Sequence, residues 1–400
     1  MRFVAVCLLL LSGLVSQVAH AEQAPRTRVI ILGVDHGAQL VSQSDQPGFL
    51  AAYLQQTRPD AICIERPPEQ AARGSYYEYT YEVQGIILPY AETSHTALCP
   101  IDWMPSVEDQ ILGFGLDLDT PLEVRRASGF QGFLSFPDPS ALKRDFFAAE
   151  DATETSKVTA WAAKPSPRAD QDLPRRLYLY RTFMQAQRIR AAAAARPGKT
   201  VLVVIGYFHK PDLEAILSLD PTIELVRASE NPRPTVAEVN AATTLTHLAA
   251  IAAFNILGVQ AETGNINVAW LGSVLDRLEA GAPGPASSLL RTRFELLAGR
   301  ITLAEATQRY RKLAAQTPAE VRFGWTGVED GSRVDSFFDP YGNLPVRERA
   351  LVEQARCLFL QGRLKEGHAI IATVGRSLSP RKALQLKGYS ERLRQAPLSP

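Results

Sequence analysis

Val201-Leu202-Val203-Val204-Ile205-Gly206-Tyr207-Phe208-His209 is the stretch that decides the fold. Its first five residues are all apolar, mostly β-branched, and end at a glycine. A run without a polar face reads as a strand of a parallel sheet buried on both sides. Such a strand needs helices over both faces, so its neighbours should alternate helix and strand. Upstream, residues 173–195 carry Leu177, Tyr180, Phe183, Met184 and Ile189 at helical intervals and stop at Pro197-Gly198. Downstream, Pro211-Asp212 opens another helix, and residues 222–227 read as a last strand.

The same alternation extends towards the N-terminus. Arg28-Val29-Ile30-Ile31-Leu32 ends at Gly33, and Ala61-Ile62-Cys63-Ile64 ends at Glu65, with helical spacing over residues 48–57 between them. Residues 96–101 form a weaker third strand, which Pro100 assigns to an edge or a strand end. After Asn231-Pro232-Arg233-Pro234 the texture turns helical. The expected architecture is therefore α/β, a mainly parallel sheet flanked by helices over residues 22–230, followed by a mostly α-helical domain over 231–400. Phe294 to Ile301 and Cys357 to Leu364 share a helix, Gly-Arg-aliphatic turn, helix layout similar to tetratricopeptide hairpins. Residues 239–261 hold no charged side chain, but Asn240, Thr243, Thr244, His247 and Asn255 interrupt them, so a buried helix of a soluble domain is expected there and not a membrane span.

The chain has 400 residues, 46% of them hydrophobic, with 43 Lys+Arg against 42 Asp+Glu. That composition excludes a disordered chain, and a net charge of +1 excludes the basic field expected of a nucleic-acid binder. Arg2, the apolar residues 3–15 and Ala19-His20-Ala21 read as a signal peptide over 1–21, giving a periplasmic or secreted protein with no transmembrane segment after its removal. Three cysteines remain, Cys63, Cys99 and Cys357. An odd count cannot close a disulfide framework, which leaves one pair with a spare or three buried thiols; because Cys63 and Cys99 each lie near the end of an apolar strand-like run, small buried hydrophobes are expected there in preference to a bridge.

The chemistry gathers at strand ends. Gly33-Val34-Asp35-His36 and Gly206-Tyr207-Phe208-His209 are both Gly-x-x-His after an apolar run, while Glu65 and Asp102 follow the second and third strands. In open α/β sheets ligands sit beyond the carboxyl ends of the strands, so two imidazoles and two carboxylates should converge there. Such a set suits a divalent ion (Zn, Mn, Co or Fe) that acidifies a bound water; without metal, it suits a histidine general base oriented by a carboxylate. His95, His247 and His368 follow no such glycine and read as structural. Tyr76, Tyr77, Tyr79 and Tyr81 read as cover for a core edge, with lining a cleft as their second use. No Gly-x-Ser-x-Gly elbow or His-Glu-x-x-His is present, and Gly198-Lys199-Thr200 precedes its strand where a phosphate loop comes after one.

The segments Val-Ile-Ile-Leu-Gly-Val-Asp-His (29–36), Asp-Ala-Ile-Cys-Ile-Glu-Arg (60–66) and Val-Val-Ile-Gly-Tyr-Phe-His-Lys-Pro-Asp-Leu (203–213) resemble the TraB/GumN/TIKI group, related to erythromycin-esterase and ChaN-like proteins. Arg181 with Met184 resembles that group's Arg-x-x-Met helix, whereas Arg66 directly follows Glu65 where the group often carries its arginine a turn later. The resemblance covers about half the chain. It implies an α/β hydrolase of peptidase or esterase type, with animal members described as metal-dependent proteases, and it matches His36, Glu65, Asp102 and His209 to the group's site positions. The resulting expectation has His36 and His209 holding a divalent metal, Glu65 as third ligand or general base, and Asp102 orienting a histidine. The substrate would be a peptide or small molecule, and the helical half would dock a protein partner. The alternative is a non-catalytic protein that binds a ligand or metal.

Overall fold

The computed structural model describes residues 25–115, 117, 122–125, 135–327 and 330–394. Residues 1–21, read from the sequence as a signal peptide, lie outside the described residues. Five strands form one all-parallel sheet: β1 (Thr27–Val34), β2 (Ala61–Ile64), β3 (Ala97–Pro100), β4 (Thr200–Gly206) and β5 (Ile223–Val226), in the order β3-β2-β4-β1-β5. The run Val201 to Ile205 lies in the central strand, hydrogen-bonded to both β1 and β2. The short strands β3 and β5 are the edges, and Pro100, which has no N–H to donate, ends β3 on its edge.

Side chains alternate across the sheet. Val29, Ile31, Cys63, Val201, Val203 and Ile205 face one apolar cluster, while Ile30, Leu32, Ile62, Ile64, Leu202 and Val204 face another. The helices up to β5, in chain order, are α1 (Pro47–Thr57), α2 (Pro68–Ala71), α3 (Leu88–Ser94), α4 (Val107–Phe114), α5 (Ala152–Ala163), α6 (Leu173–Ala194) and α7 (Lys210–Leu217). Ala186, Ile189 and Ala193 of α6, with Leu213 and Leu217 of α7, cover the first face. Phe49, Leu50, Tyr53 and Leu54 of α1 belong to the second.

The residues after 230 complete that second face. They form α8 (Val236–Ala242), α9 (Leu245–Ile256), α10 (Val268–Gly281), α11 (Pro285–Leu297), α12 (Leu303–Gln316), α13 (Val346–Leu360), α14 (Leu364–Arg376) and α15 (Pro380–Tyr389). A single cluster joins Ile30 and Leu32 to Leu248, Ile251 and Phe254, and on to Phe294 and Cys357. The texture change at 231–234 is thus a change of secondary structure, with the core running through it. The two similar stretches do form helix pairs, α11–α12 and α13–α14, each turned at a glycine in the left-handed region, Gly299 (φ 65°) and Gly362 (φ 76°).

Three expectations are corrected. Cys63 and Cys99 form a disulfide: they are directly paired residues of the parallel strands β2 and β3, with Cα atoms 4.3 Å apart, a register that spacing along the chain does not reveal. Cys357 is a buried free thiol. Residues 239–261 hold no single helix. Thr243 ends α8, Thr244 caps α9 by accepting from the His247 backbone N–H, and the two axes meet at 92°. Among the described residues no single helix is long and apolar enough to cross a membrane. In α6, Tyr180 and Phe183 are exposed, and the buried side is Leu177, Tyr178, Arg181, Thr182, Gln185 and Ile189. Ala186, Ala192 and Ala193 are buried as well, and the polar third of that face, Arg181, Thr182 and Gln185, serves the cluster of charged side chains at the strand ends.

Candidate active site

The four residues singled out at strand ends come from four adjacent strands, in the spatial order Asp102, Glu65, His209, His36. All are buried. Glu65 is central. Its Oε1 accepts from Arg181 Nη2 at 2.7 Å, and its Oε2 accepts from the backbone N–H of Gly206 at 2.6 Å. His36 Nε2 lies 3.7 Å from Oε2 and His209 Nε2 lies 3.8 Å from Oε1. A Cβ on Gly206 would come within 3.2 Å of both Glu65 Oε2 and His36 Nε2, so glycine lets the backbone approach this closely.

Each imidazole is held by its far nitrogen. His36 Nδ1 donates to Glu82 Oε1 at 2.7 Å, and Glu82 also accepts from Gln39. His209 Nδ1 lies 2.8 Å from Thr182 Oγ1. That hydroxyl spends its one proton on the Tyr178 carbonyl at 2.9 Å, so it accepts from His209, and the proton sits on Nδ1. His209 Nε2 is then a bare lone pair, buried and without a hydrogen-bond partner among the described residues. The ring stacks on Tyr178 at 5.1 Å between centroids.

The two histidines are driven apart electrostatically. Burial lowers His209 to about 4, only partly opposed by Glu65, so it is neutral. Burial acts against the His36 cation too, but the Glu82 charge and hydrogen bond, with Glu65 and Asp35 behind them, raise it to about 9. Asp102 is fully buried, which favours the neutral acid, yet Arg181, Gln185 and Tyr77 hold its carboxyl below the usual range.

Asp102 does not orient a histidine. It accepts two bonds from Arg181 (Nε and Nη2, both 2.7 Å) and one each from Gln185 and the Tyr77 hydroxyl, at 2.8 Å, and so fixes the arginine. The histidine partners are Glu82 and Thr182, neither of which the sequence pattern singles out. Glu82 has one visible signal, a single acid between Tyr81 and the apolar Val83, Ile86 and Ile87; the backbone there makes a short π-helix, a feature frequent at functional sites. Of the tyrosine cluster, Tyr77 reaches Asp102 and Tyr79 packs edge-on to His36 at 5.3 Å, while Tyr81 is buried in the core and the partly buried Tyr76 packs against it. The three other histidines among the described residues lie elsewhere: His95 ends α3, His247 caps α9, and His368 is exposed beside Arg394.

Above the cluster lies a cavity of about 330 Å³. Its floor is His36, Glu65, Arg181 and His209, and its walls are apolar or aromatic. In kind, two imidazole Nε2 atoms and a carboxylate suit a divalent ion, and far nitrogens tied to Glu82 and Thr182 are what oriented ligand histidines need. In placement, both Glu65 oxygens are engaged by Arg181 and Gly206, and among the described residues no group of three His, Cys, Asp or Glu side chains is gathered as a metal site. Fold and site together define a class: a parallel α/β protein with a buried His-Glu-Arg-His cluster at the carboxyl ends of its strands. No family model, no curated protein and no solved structure matches the chain.

Proposed function

We propose that the protein is a hydrolase of ester or peptide bonds whose attacking water is activated at His209. The observation that carries this reading is the unpartnered Nε2 lone pair of a neutral, buried imidazole at the floor of the cavity. A water there gives its proton to Nε2, and its oxygen attacks the substrate carbonyl carbon. Arg181 supports the oxyanion that results: Asp102 and Glu65 occupy its Nε and Nη2, leaving Nη1 without an acceptor among the described residues. The His36 imidazolium, steadied by Glu82, protonates the leaving oxygen or nitrogen from Nε2. Proton exchange with solvent then resets both rings.

A divalent ion of the Zn, Mn, Co or Fe class would be held by His36, Glu65 and His209, and when bound would supply an acidified water. The Cys63–Cys99 disulfide supports export, since disulfides persist in oxidising compartments. The test is turnover of ester and peptide panels by wild type and His209→Ala, before and after chelation, with metal content measured alongside. Chelator-resistant turnover that His209→Ala abolishes supports the imidazole pair. Turnover lost to the chelator and restored by one ion supports the metal. No turnover of any substrate leaves the non-catalytic binding protein as the better account.

A further inference from the structure

We infer that the substrate carries a small, uncharged, apolar group beside the scissile bond, which makes it a small ester in preference to a peptide; the inference rests on the hydrolase reading. Phe114 of α4, Val158 and Trp161 of α5, Pro174 and Tyr178 of α6 and Phe208 before α7 wall the cavity over the His-Glu-Arg-His floor. Among the described residues the charged groups lining it are those of the floor, His36, Glu65, Arg181 and His209, where the scissile bond would sit, and the walls above them carry none. A substrate ammonium or carboxylate placed between these walls finds no counter-charge, and an unpaired charge in such surroundings is costly. Size points the same way. About 330 Å³ is at the small end of the range of roughly 300–1,000 Å³ for ligand pockets, enough for one aliphatic or aromatic group and not for several ordered side chains.

Ethyl alkanoates and alkyl acetates of increasing chain length test this with the purified protein. In one of the two series kcat/KM should rise about fourfold per added methylene until the chain outgrows the cavity. Ethyl 6-aminohexanoate, with a charged end in place of a methyl, should be at least about tenfold slower than ethyl hexanoate. Trp161 is 44% exposed, so Trp161→Ala empties little core, and it should lower the preference for hexanoyl over acetyl by about tenfold. Val158→Trp should shorten the optimum chain. Turnover that is flat in both series, or equal for the charged and uncharged hexanoates, overturns the inference while leaving the hydrolase standing. Binding of 1-hexanol, monitored by tryptophan fluorescence and weakened in Trp161→Ala, with no ester hydrolysed, overturns the hydrolase and keeps the apolar site.

Discussion

His36 and His209 both end a Gly-x-x-His segment at a strand terminus, yet their second partners make them opposites, and pH is where the difference shows. The folded pKa of His36, about 9, lies above the ordinary value near 6.5, so its contribution to stability is fully present below about 6.5 and is lost as pH rises towards 9. Glu82→Gln keeps an acceptor for Nδ1 and removes the charge, so urea midpoints between pH 6.5 and 9 should flatten in the variant. His209 has the reverse sign: with a folded value of about 4, its contribution is present above about 6.5 and is lost as pH falls through 4. Turnover under the proposed mechanism should therefore rise through about 4 as His209 loses its proton and fall through about 9 as His36 loses its own. A steady-state profile with neither limb would remove both histidines from the chemistry. At this scale the sequence reveals the residues at strand ends, His36, Glu65, Asp102 and His209, because apolar runs announce strands and strand ends announce a crevice. It does not reveal what each one touches. Asp102 reads as the partner of a histidine and holds Arg181 instead, and Glu82 and Thr182 escape notice, because a hydrogen-bond partner contributed by another helix leaves no periodic mark.

Strands are more legible than helices because buried β-branched runs carry one message, whereas a helix face reports burial only when its buried side chains are apolar. On α6 the exposed Tyr180 and Phe183 imitate a core stripe, and the buried Arg181, Thr182 and Gln185 imitate a surface. The β2–β3 pairing is invisible for another reason: register between parallel strands depends on where the crossover delivers the second strand. Its consequence can be measured. The disulfide closes a separation of 36 residues, so removing it in Cys63→Ala/Cys99→Ala should cost roughly 3–4 kcal/mol of unfolding free energy by loop entropy. Chemical denaturation of the double variant against the oxidised parent checks this, and equal midpoints would show that the bridge constrains nothing. At the end of β1, a Cβ on Gly33 would stand 2.6 Å from the Ala149 Cβ and 3.0 Å from the Tyr207 Cα. The second contact is backbone and cannot swing aside, so Gly33→Ala should destabilise by about 1–3 kcal/mol, read from the thermal midpoint.

In the whole molecule the site and the core have different extents. His36, Glu65, Asp102, Arg181 and His209 all precede residue 230, as does every residue lining the cavity above them. The sheet face behind the site nevertheless depends on the helices beyond residue 230. Leu248, Ile251 and Phe254 of α9 share one cluster with Ile30, Leu32 and Leu202, and Asn255 donates to the Leu40 carbonyl at 2.6 Å, directly behind the turn that carries His36. On α1, Gly48 leaves room for α8, since a Cβ there would lie 2.6 Å from the Val239 carbonyl oxygen. The junction itself is tied down: the Tyr53 hydroxyl donates to the Ala228 carbonyl at 3.0 Å, and the Asn231 amide donates to that hydroxyl at 3.1 Å. A fragment ending at residue 230 would keep every proposed catalytic side chain but expose the apolar face that α8 and α9 cover. That fragment should be insoluble or lack a cooperative thermal transition, and limited proteolysis of the intact protein should not cut at 229–236. A soluble fragment 22–230 that melts cooperatively and keeps turnover would show instead that the helical half is dispensable for the fold, and that the shared cluster is an interface between two independent units.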